Sequence, residues 1–308
     1  MFKSLINLSK PLIETAELAK LIKSKNKNLT VVNSNFAIDY KTHVIRPADT
    51  WNDIFKNERI PFSRHVNISI IGDKSQGLQN MLPTFDDFTK VMKEFDIGKY
   101  DHVVCYADEN IVGACRAWWM FKIFGFPNVQ VMNGTINKWK KEAYDVEIGP
   151  EQWKYNLRER TSKDFDFEFN KELVMDMQQI RDSLTYKCPG DICIVDARSE
   201  GRFEGRSPDP KGLKVGHIPG AKNIQFTDFL NVEQDDTFKT PEEMLSIAKS
   251  KNVDFKKYLS ISCGSGMTAC VVYLGLHMAG AQRLSIYDGS WSEWAKHQEN
   301  PVETGPAK

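Results

Sequence analysis

This sequence lacks three features, and each absence excludes a class of protein. No apolar run reaches the roughly 18 residues that a membrane-spanning helix needs. Lys plus Arg and Asp plus Glu both number 41, so no net charge favours nucleic acid or an acidic membrane surface as a partner. No Cys-X-X-Cys motif joins any of the six scattered cysteines. We therefore predict neither a metal site nor a disulfide framework, but reduced thiols in a cytosol-like compartment.

The amino terminus also lacks a long apolar segment, so no secretory signal is predicted. The stretch "PLIETAELAKLI" has the pattern of a first helix, which leaves only about ten residues before it for targeting. We therefore expect a cytoplasmic protein, with a mitochondrial presequence as the alternative.

What the sequence does contain is a repeat of its own plan. The segment "VQVMNGTINKW" ends at Trp139, and "LSIYDGSWSEW" ends at Trp294, about 155 residues later. An apolar strand and a helix precede each segment, "HVVCYA" with "GACRAWWMFKIFGF" and "YLSISC" with "TACVVYLGLHMAGA". This order predicts parallel sheets with helices on both faces. We predict two α/β domains, 1–148 and 171–308, joined by a polar linker at 149–170; one large mixed domain is the alternative.

The second half carries a cysteine at the end of a predicted strand, where ligands bind in open parallel sheets. This residue is Cys263, and the candidate ligand-binding residues after it are Gly264, Ser265, Gly266, Met267 and Thr268. Glycines let the loop turn its N–H groups inward into an anion-binding nest, and the following helix adds its positive end. Both features favour a thiolate, so we predict a nucleophile or a sulfur carrier. The alternative is a buried cysteine that packs under a glycine turn.

The first half offers an internal comparison for this cysteine. Counting along its strand places Ala107, or else Tyr106, where the second half has Cys263. The loop that follows, "DENIVGA", is acidic and longer, and Cys105 comes earlier on the strand, where we expect it to face the core. We therefore expect chemistry only in the second half, with a non-catalytic first domain that braces or covers the site.

A Gly- and Pro-rich loop after another predicted strand supplies basic residues. Within "VDARSEGRFEGRSPDPKGLKVGHIPGAKNI" these are Arg198, Arg202, Arg206 and Lys211. An arginine fork suits a carboxylate, through paired charge-assisted hydrogen bonds, so we predict a substrate that carries one. The alternative for each basic residue is a surface ion pair with a nearby acid. His217, in "GHIPGA", is expected to stabilise a turn rather than to act as a base.

These segments together resemble the 3-mercaptopyruvate sulfurtransferases, a family of tandem rhodanese-fold enzymes. "CGSGMTA" with "DGSWSEW" resembles the family's second domain, and "DARSEGRFEG", "GHIPGAKNI" and "FTDFL" follow in the family's order. "RAWWMFKIFG" and "NMLP" are similar to its inactive first domain. The resemblance covers nearly the whole chain. Its active loop is specific, because thiosulfate-type rhodaneses place basic residues directly after the cysteine.

The resemblance implies two rhodanese-like domains and a sulfur-transfer reaction without a cofactor. Cys263 would take the sulfur of 3-mercaptopyruvate as a persulfide, pyruvate would leave, and the sulfur would pass to thioredoxin, another thiol or cyanide. Arg202 matches the family's carboxylate-binding arginine, and Lys211 stands at its second such arginine, with the charge but without the planar fork. Ser265 matches the loop serine to which the family assigns proton handling.

This chain departs from the family where that serine meets the first domain. The family's serine works with a histidine and an aspartate there. Asn80 stands in place of the histidine before "MLP", and an asparagine cannot shuttle a proton. Asp73, in a shorter loop, is the nearest match for the aspartate. Either Ser265 acts without the relay, or the chain is a slower or altered member.

Three other functions compete with this interpretation. A thiosulfate sulfurtransferase would use the same persulfide with another donor. A non-catalytic rhodanese-like binding module would have two inactive domains. A dual-specificity phosphatase of the cell-cycle type needs an arginine six positions after the cysteine, where this chain has Ala269.

Overall fold

The computed structural model describes residues 10–36, 50–185 and 191–308, and the first half of the chain forms one parallel sheet with its helices. The strands are β1 (Leu12–Ile13), β2 (Leu29–Asn33), β3 (Arg64–His65), β4 (His102–Tyr106) and β5 (Val129–Met132). The helices are α1 (Thr15–Lys23), α2 (Thr50–Asn57), α3 (Ile68–Ile71), α4 (Phe85–Glu94), α5 (Val112–Ile123) and α6 (Ile136–Lys141). The strands lie side by side in the order β1-β5-β4-β2-β3.

The second half forms a sheet of the same plan. Its elements are β6 (Val174–Met175), α7 (Met177–Ser183), β7 (Ile192–Asp196), α8 (Glu200–Phe203), β8 (Lys222–Asn223), β9 (Leu230–Asn231), β10 (Thr237–Phe238), α9 (Pro241–Ser250), β11 (Tyr258–Ser262), α10 (Ala269–Met278), β12 (Leu284–Tyr287) and α11 (Ser290–Trp294). The sheet order is β6-β12-β11-β7-β8, and β9 and β10 form a separate antiparallel pair. Short 3₁₀ helices lie at Gln152–Tyr155, Ser162–Phe165, Lys171–Leu173, Phe226–Phe229 and Val232–Gln234.

The two sheets correspond strand by strand, which confirms the predicted pair of α/β units with parallel sheets. The edge strands β1 and β6 are absent from the sequence interpretation, because two residues each are too few to show a period. None of the helices in the described residues has the length and apolar character that a membrane span requires.

Two nearly all-buried helices join the halves. Helices α5 and α10 each follow the central strand of their own sheet, and their side chains belong to one continuous apolar core. Their facing aromatic rings, Trp118 and Tyr273, have centroids 6.0 Å apart. A helix that is apolar on every side must be covered on every side, which explains why the halves pack here.

The segment predicted as a linker, 149–170, packs against the first half through its aromatic side chains. Trp153 is buried, and the Arg64 guanidinium lies 5.0 Å from the centre of its ring. Phe167 stacks on Phe126 in the core of the first half, with ring centroids 5.2 Å apart. These contacts fix the path of the chain between the two sheets.

Candidate active site

Cys263 lies where the sequence predicts it, directly after β11 at the carboxyl edge of the second sheet. Strand β11 is central, so its end is covered, and Cys263 is only 2% exposed. The register of the first sheet identifies its counterpart. Asn33 pairs with Tyr106 as Asp196 pairs with Ser262, so Ala107, rather than Tyr106, occupies the place of Cys263.

Helix α11 holds the start of the loop that follows Cys263. The Trp291 N–H donates to the Cys263 carbonyl at 3.0 Å. Ser292 donates twice to the Gly264 carbonyl, from its N–H at 3.0 Å and from its hydroxyl at 2.5 Å. The Ser290 hydroxyl accepts from the Cys263 N–H at 3.2 Å. Ser290 has a φ of 52°, a left-handed conformation that is uncommon for a serine and marks a tightly constrained turn.

The first half of the molecule holds the end of the same loop. Arg116, on α5, donates from Nη1 to the Gly266 carbonyl at 3.2 Å and to the Asp288 carboxylate at 2.7 Å. Its Nη2 donates to the Asn80 carbonyl at 2.5 Å. The other Asp288 oxygen accepts from the Leu82 N–H at 2.8 Å. Gly266 has a φ of +77°, and a Cβ there would lie 2.9 Å from the Asp288 carbonyl oxygen, so the position requires glycine.

These contacts hold the carbonyls of residues 263, 264 and 266, and they thereby also set the direction of the N–H group that follows each carbonyl. In a planar trans peptide the carbonyl and the following N–H point to opposite sides, so each held carbonyl orients the next N–H. Across the residues that the structure describes, no protein group accepts from the backbone N–H groups of 264–268. Met267 offers only its N–H, because its side chain is buried in the core. These N–H groups without protein acceptors are compatible with the predicted nest, which stays a prediction, and α10 begins directly after them.

The two predicted substrate-binding cations lie beside this loop. The Arg202 guanidinium is 3.5 Å from the point where a Cβ on Gly264 would stand. Its Nη2 donates to Asp209 at 2.8 Å, while its Nε is buried with no hydrogen-bond partner among the described residues. The Lys211 ammonium donates to the Ser292 hydroxyl at 3.1 Å. Asp209 also accepts from the backbone N–H of Lys211 at 2.9 Å, so one carboxylate contacts the Arg202 guanidinium and the main chain of Lys211.

The ammonium of Lys211 is electrostatically coupled to the cysteine. Burial lowers the pKa of Lys211, while Asp209 and Cys263 act in the opposite direction because negative charge on either stabilises the ammonium. A positive charge is therefore available within range of the sulfur, although burial makes it easier to lose at alkaline pH than that of an exposed lysine.

Ser265 contacts the residue that replaces the family's histidine. Asn80 donates from Nδ2 to the Ser265 hydroxyl at 3.1 Å, so the hydroxyl hydrogen is free to point toward a ligand. Asn80 has a φ of 62°, a region that asparagine tolerates better than most residues. Asp73 does not continue a relay, because its carboxylate is exposed and accepts from the N–H and hydroxyl of Ser75.

Three other candidates have structural contacts instead. Arg198 forms a buried ion pair with Asp196 at 2.6 Å. Arg206 is exposed and pairs with two neighbouring glutamates. His217 stacks on Phe203 at 3.7 Å and supports the turn, as expected. Within the described ranges, no group of three or more His, Cys, Asp or Glu side chains is arranged to hold a metal ion.

Sequence reasoning missed several residues that shape the loop. They are Arg116, Asp209, Asp288, Ser290 and Ser292. Three of them lie in "DGSWSEW", which marked the repeat but was not interpreted as part of the site. The signal for Arg116 was a lone arginine in the middle of an otherwise apolar helix segment, since such a charge needs a partner when buried.

Comparison with known proteins identifies the family. A model of the rhodanese-like domain matches the chain twice, at residues 14–142 and 176–297. The chain belongs to the rhodanese family. Each match contains four strands of one sheet and leaves out only its short edge strand, β1 or β6, and the second match contains Cys263 and its loop.

The relatives of this rhodanese are named as sulfur-transferring enzymes. The 3-mercaptopyruvate sulfurtransferase of Homo sapiens is 34% identical over 243 residues, which are 78% of this chain and 78% of that protein. The thiosulfate sulfurtransferase of Gallus gallus is 35% identical over 242 residues, or 78% and 79% of the two chains. The solved 3-mercaptopyruvate sulfotransferase SseA of Escherichia coli is 27% identical, with a TM-score of 0.76 over 92% of this chain and 100% of that one. The predicted family is confirmed, and this rhodanese is an enzyme of the sulfurtransferase type.

Proposed function

We propose that Cys263 takes a sulfur atom from 3-mercaptopyruvate and becomes a persulfide. Its thiolate attacks the donor sulfur, the carbon–sulfur bond breaks, and the electron pair leaves with the enolate of pyruvate, which then takes a proton. A thiol such as thioredoxin or a small thiol, or else cyanide, accepts the outer sulfur. The observation that carries the proposal is the set of N–H groups at 264–268, which have no acceptor among the described residues and favour negative charge at Cys263.

Two cations beside the loop support a substrate with one carboxylate. Arg202 lies over Gly264, and Lys211 reaches the same loop through Ser292. Among the described residues, no group accepts from the buried Nε of Arg202, so the protein does not exhaust its donors. We assign the substrate carboxylate to this pair, with Arg202 as the stronger contributor because of its planar fork.

Ser265 supports the proton step without a histidine relay. Asn80 donates to its hydroxyl, which leaves the hydroxyl hydrogen for the departing enolate. The proton must be replaced from water, since Asn80 cannot supply one.

The two halves then have different tasks. Residues 171–308 form the catalytic domain, residues 1–148 form a non-catalytic domain with Ala107 at the cysteine's position, and 149–170 connect them. The scattered cysteines suit a reducing compartment, and we place the enzyme in the cytoplasm.

The test is intact-mass measurement after mixing with excess 3-mercaptopyruvate. Wild type should gain one sulfur atom, about 32 Da, and lose it again to dithiothreitol. Cys263→Ser should gain nothing, because a serine hydroxyl is not acidic enough to replace the thiolate. Cys193→Ser is the matched control, since Cys193 is another buried cysteine of the same sheet, and it should gain sulfur like wild type. No gain in wild type would favour a non-catalytic binding module.

Thiosulfate remains the second candidate donor. The relative from Gallus gallus supports it, and so does the Arg202 guanidinium, which places a full cation close to the loop. Against it, neither Gly264 nor Ser265 carries a charge for a compact dianion. We therefore propose 3-mercaptopyruvate as the preferred donor.

A further inference from the structure

Arg116 is a fully buried charge that joins the two halves at the site. Its side chain is 3% exposed, and its ion pair with Asp288 at 2.7 Å compensates the cost of burying the guanidinium. The guanidinium also lies 4.6 Å from the centre of the Trp119 ring. The ion pair alone would be enough for a structural role. The Arg116 guanidinium, however, also donates to two backbone carbonyls beside the site, those of Gly266 and Asn80.

Both of these carbonyls are linked to groups of the loop that follows Cys263. The Gly266 carbonyl, held by Nη1, fixes the plane of the peptide whose N–H belongs to Met267. The Asn80 carbonyl, held by Nη2, fixes the residue whose side chain donates to the Ser265 hydroxyl. One guanidinium therefore orients an N–H of the nest and the hydroxyl beside it.

We propose that Arg116 is a positioning residue for sulfur transfer. It touches no substrate, but it holds the loop after Cys263 in the conformation that turns its N–H groups inward, and it does so from the non-catalytic half. This inference rests on the proposed persulfide chemistry of Cys263.

The chemistry of arginine fits this task better than that of lysine. A planar fork can donate in two directions at once, whereas an ammonium is a point charge without a fixed donor geometry. Arg116→Lys keeps a positive charge for Asp288 but cannot hold the carbonyls of Gly266 and Asn80 together.

Of the two helices α5 and α10, only α5 carries such an arginine, which agrees with a reaction in the second half alone. Aligning "ACRAWW" of α5 with "ACVVYL" of α10 places Val271 at the position of Arg116. Valine offers no donor, so α10 cannot hold the corresponding loop of the first half in the same way.

The experiment compares Arg116→Lys with Arg59→Lys. Arg59 is the matched control, because it too is buried, pairs with Glu147 at 2.6 Å and donates to backbone carbonyls, but it lies away from the loop. Removing one positioned N–H donor typically costs about 10²- to 10³-fold in turnover, so misplacing one should cost Arg116→Lys about 10- to 100-fold in kcat, with KM within threefold. Arg59→Lys should keep kcat within about threefold, even if the melting temperatures of the two variants fall equally.

If Arg116→Lys does not fold, a second variant and a second measurement test the same role of Arg116. Asp288→Asn leaves Arg116 in place but weakens its hold, and kcat should fall about 3- to 10-fold. In either folded variant, the Leu82 amide, which donates to Asp288 at 2.8 Å, should exchange faster with deuterium than in Arg59→Lys. Equal kcat in the Arg116 and Arg59 variants, or an unchanged kcat in Asp288→Asn, overturns the inference. If wild type forms no persulfide, the proposed function has failed instead.

Discussion

The two sheets have corresponding strand orders, but their carboxyl edges differ in whether the N–H groups of the following loop have acceptors. After Ala107, side-chain oxygens accept from the N–H groups of residues 108, 111 and 112. Those oxygens belong to Asn35, Asp236 and Asn110. After Cys263, no described protein group accepts from residues 264–268. We call the first edge closed, because these N–H groups have acceptors, and the second edge open, because the N–H groups of its loop have none among the described residues.

The two edges also differ in the charge of the first residue after the strand end. Asp108, the counterpart of Gly264, is buried, and burial raises its pKa to about 6 while the amides of Asn33 and Asn35 oppose the shift. The same Asn33 binds His65, whose pKa burial lowers to about 4. The first edge has thus become a structural polar network. The comparison teaches that two sheets of one topology can differ in whether the N–H groups at the carboxyl edge have protein acceptors.

The most severe test moves the cysteine to the closed edge. In a Cys263→Ser background, Ala107→Cys should form no persulfide with 3-mercaptopyruvate. The thiol would stand at the right strand end but beside the Asp108 carboxylate, where neighbouring N–H groups already have acceptors. Intact mass after a long incubation is the measurement, with wild type as the positive control. A gain of sulfur by the double variant would show that the strand end alone suffices.

A second test compares the contributions of Arg202 and Lys211, the two cations beside the loop after Cys263. Arg202→Ala should lower kcat/KM for 3-mercaptopyruvate by about ten- to a hundredfold, as expected for a charge-assisted hydrogen bond to a carboxylate. Lys211→Ala should cost less, since the ammonium lacks a fork. Steady-state rates at one ionic strength decide the order. Equal losses, or none at Arg202, would contradict our assignment of the substrate carboxylate.

The smallest expected effect concerns the choice of donor. Ser265→Lys should raise thiosulfate use by about tenfold, because a unit charge near 4 Å contributes on the order of 4 kcal/mol before desolvation. Ser265→Ala is the control, since it removes the hydroxyl without adding charge. Gly264 is less suitable, because a side chain there would point at the Arg202 guanidinium. The readout is kcat/KM for both donors, and equal thiosulfate use in the two variants would locate donor selection elsewhere.

The sequence predicted those parts of the molecule that depend on local order along the chain. The repeat indicated two parallel sheets, and the pattern of an apolar strand followed by glycines correctly placed Cys263 directly after a strand. Arg116 and Ser292 were missed because their partners in the loop are about 150 and 28 residues away, and no local pattern records such a contact. The Asp209 carboxylate was missed for another reason. A Pro-rich loop gives no periodicity from which the direction of a side chain can be inferred.

The contacts that α5 makes with the second half limit which residues of the first half can change in evolution. Under the proposed function the first half carries no reaction of its own, so the residues around Ala107 should be free to change. Arg116 and Asn80 are constrained differently, because they lie in the first half and contact the loop after Cys263 in the second half. Selection on the proposed reaction should therefore also act on the first half, along the face that meets the second.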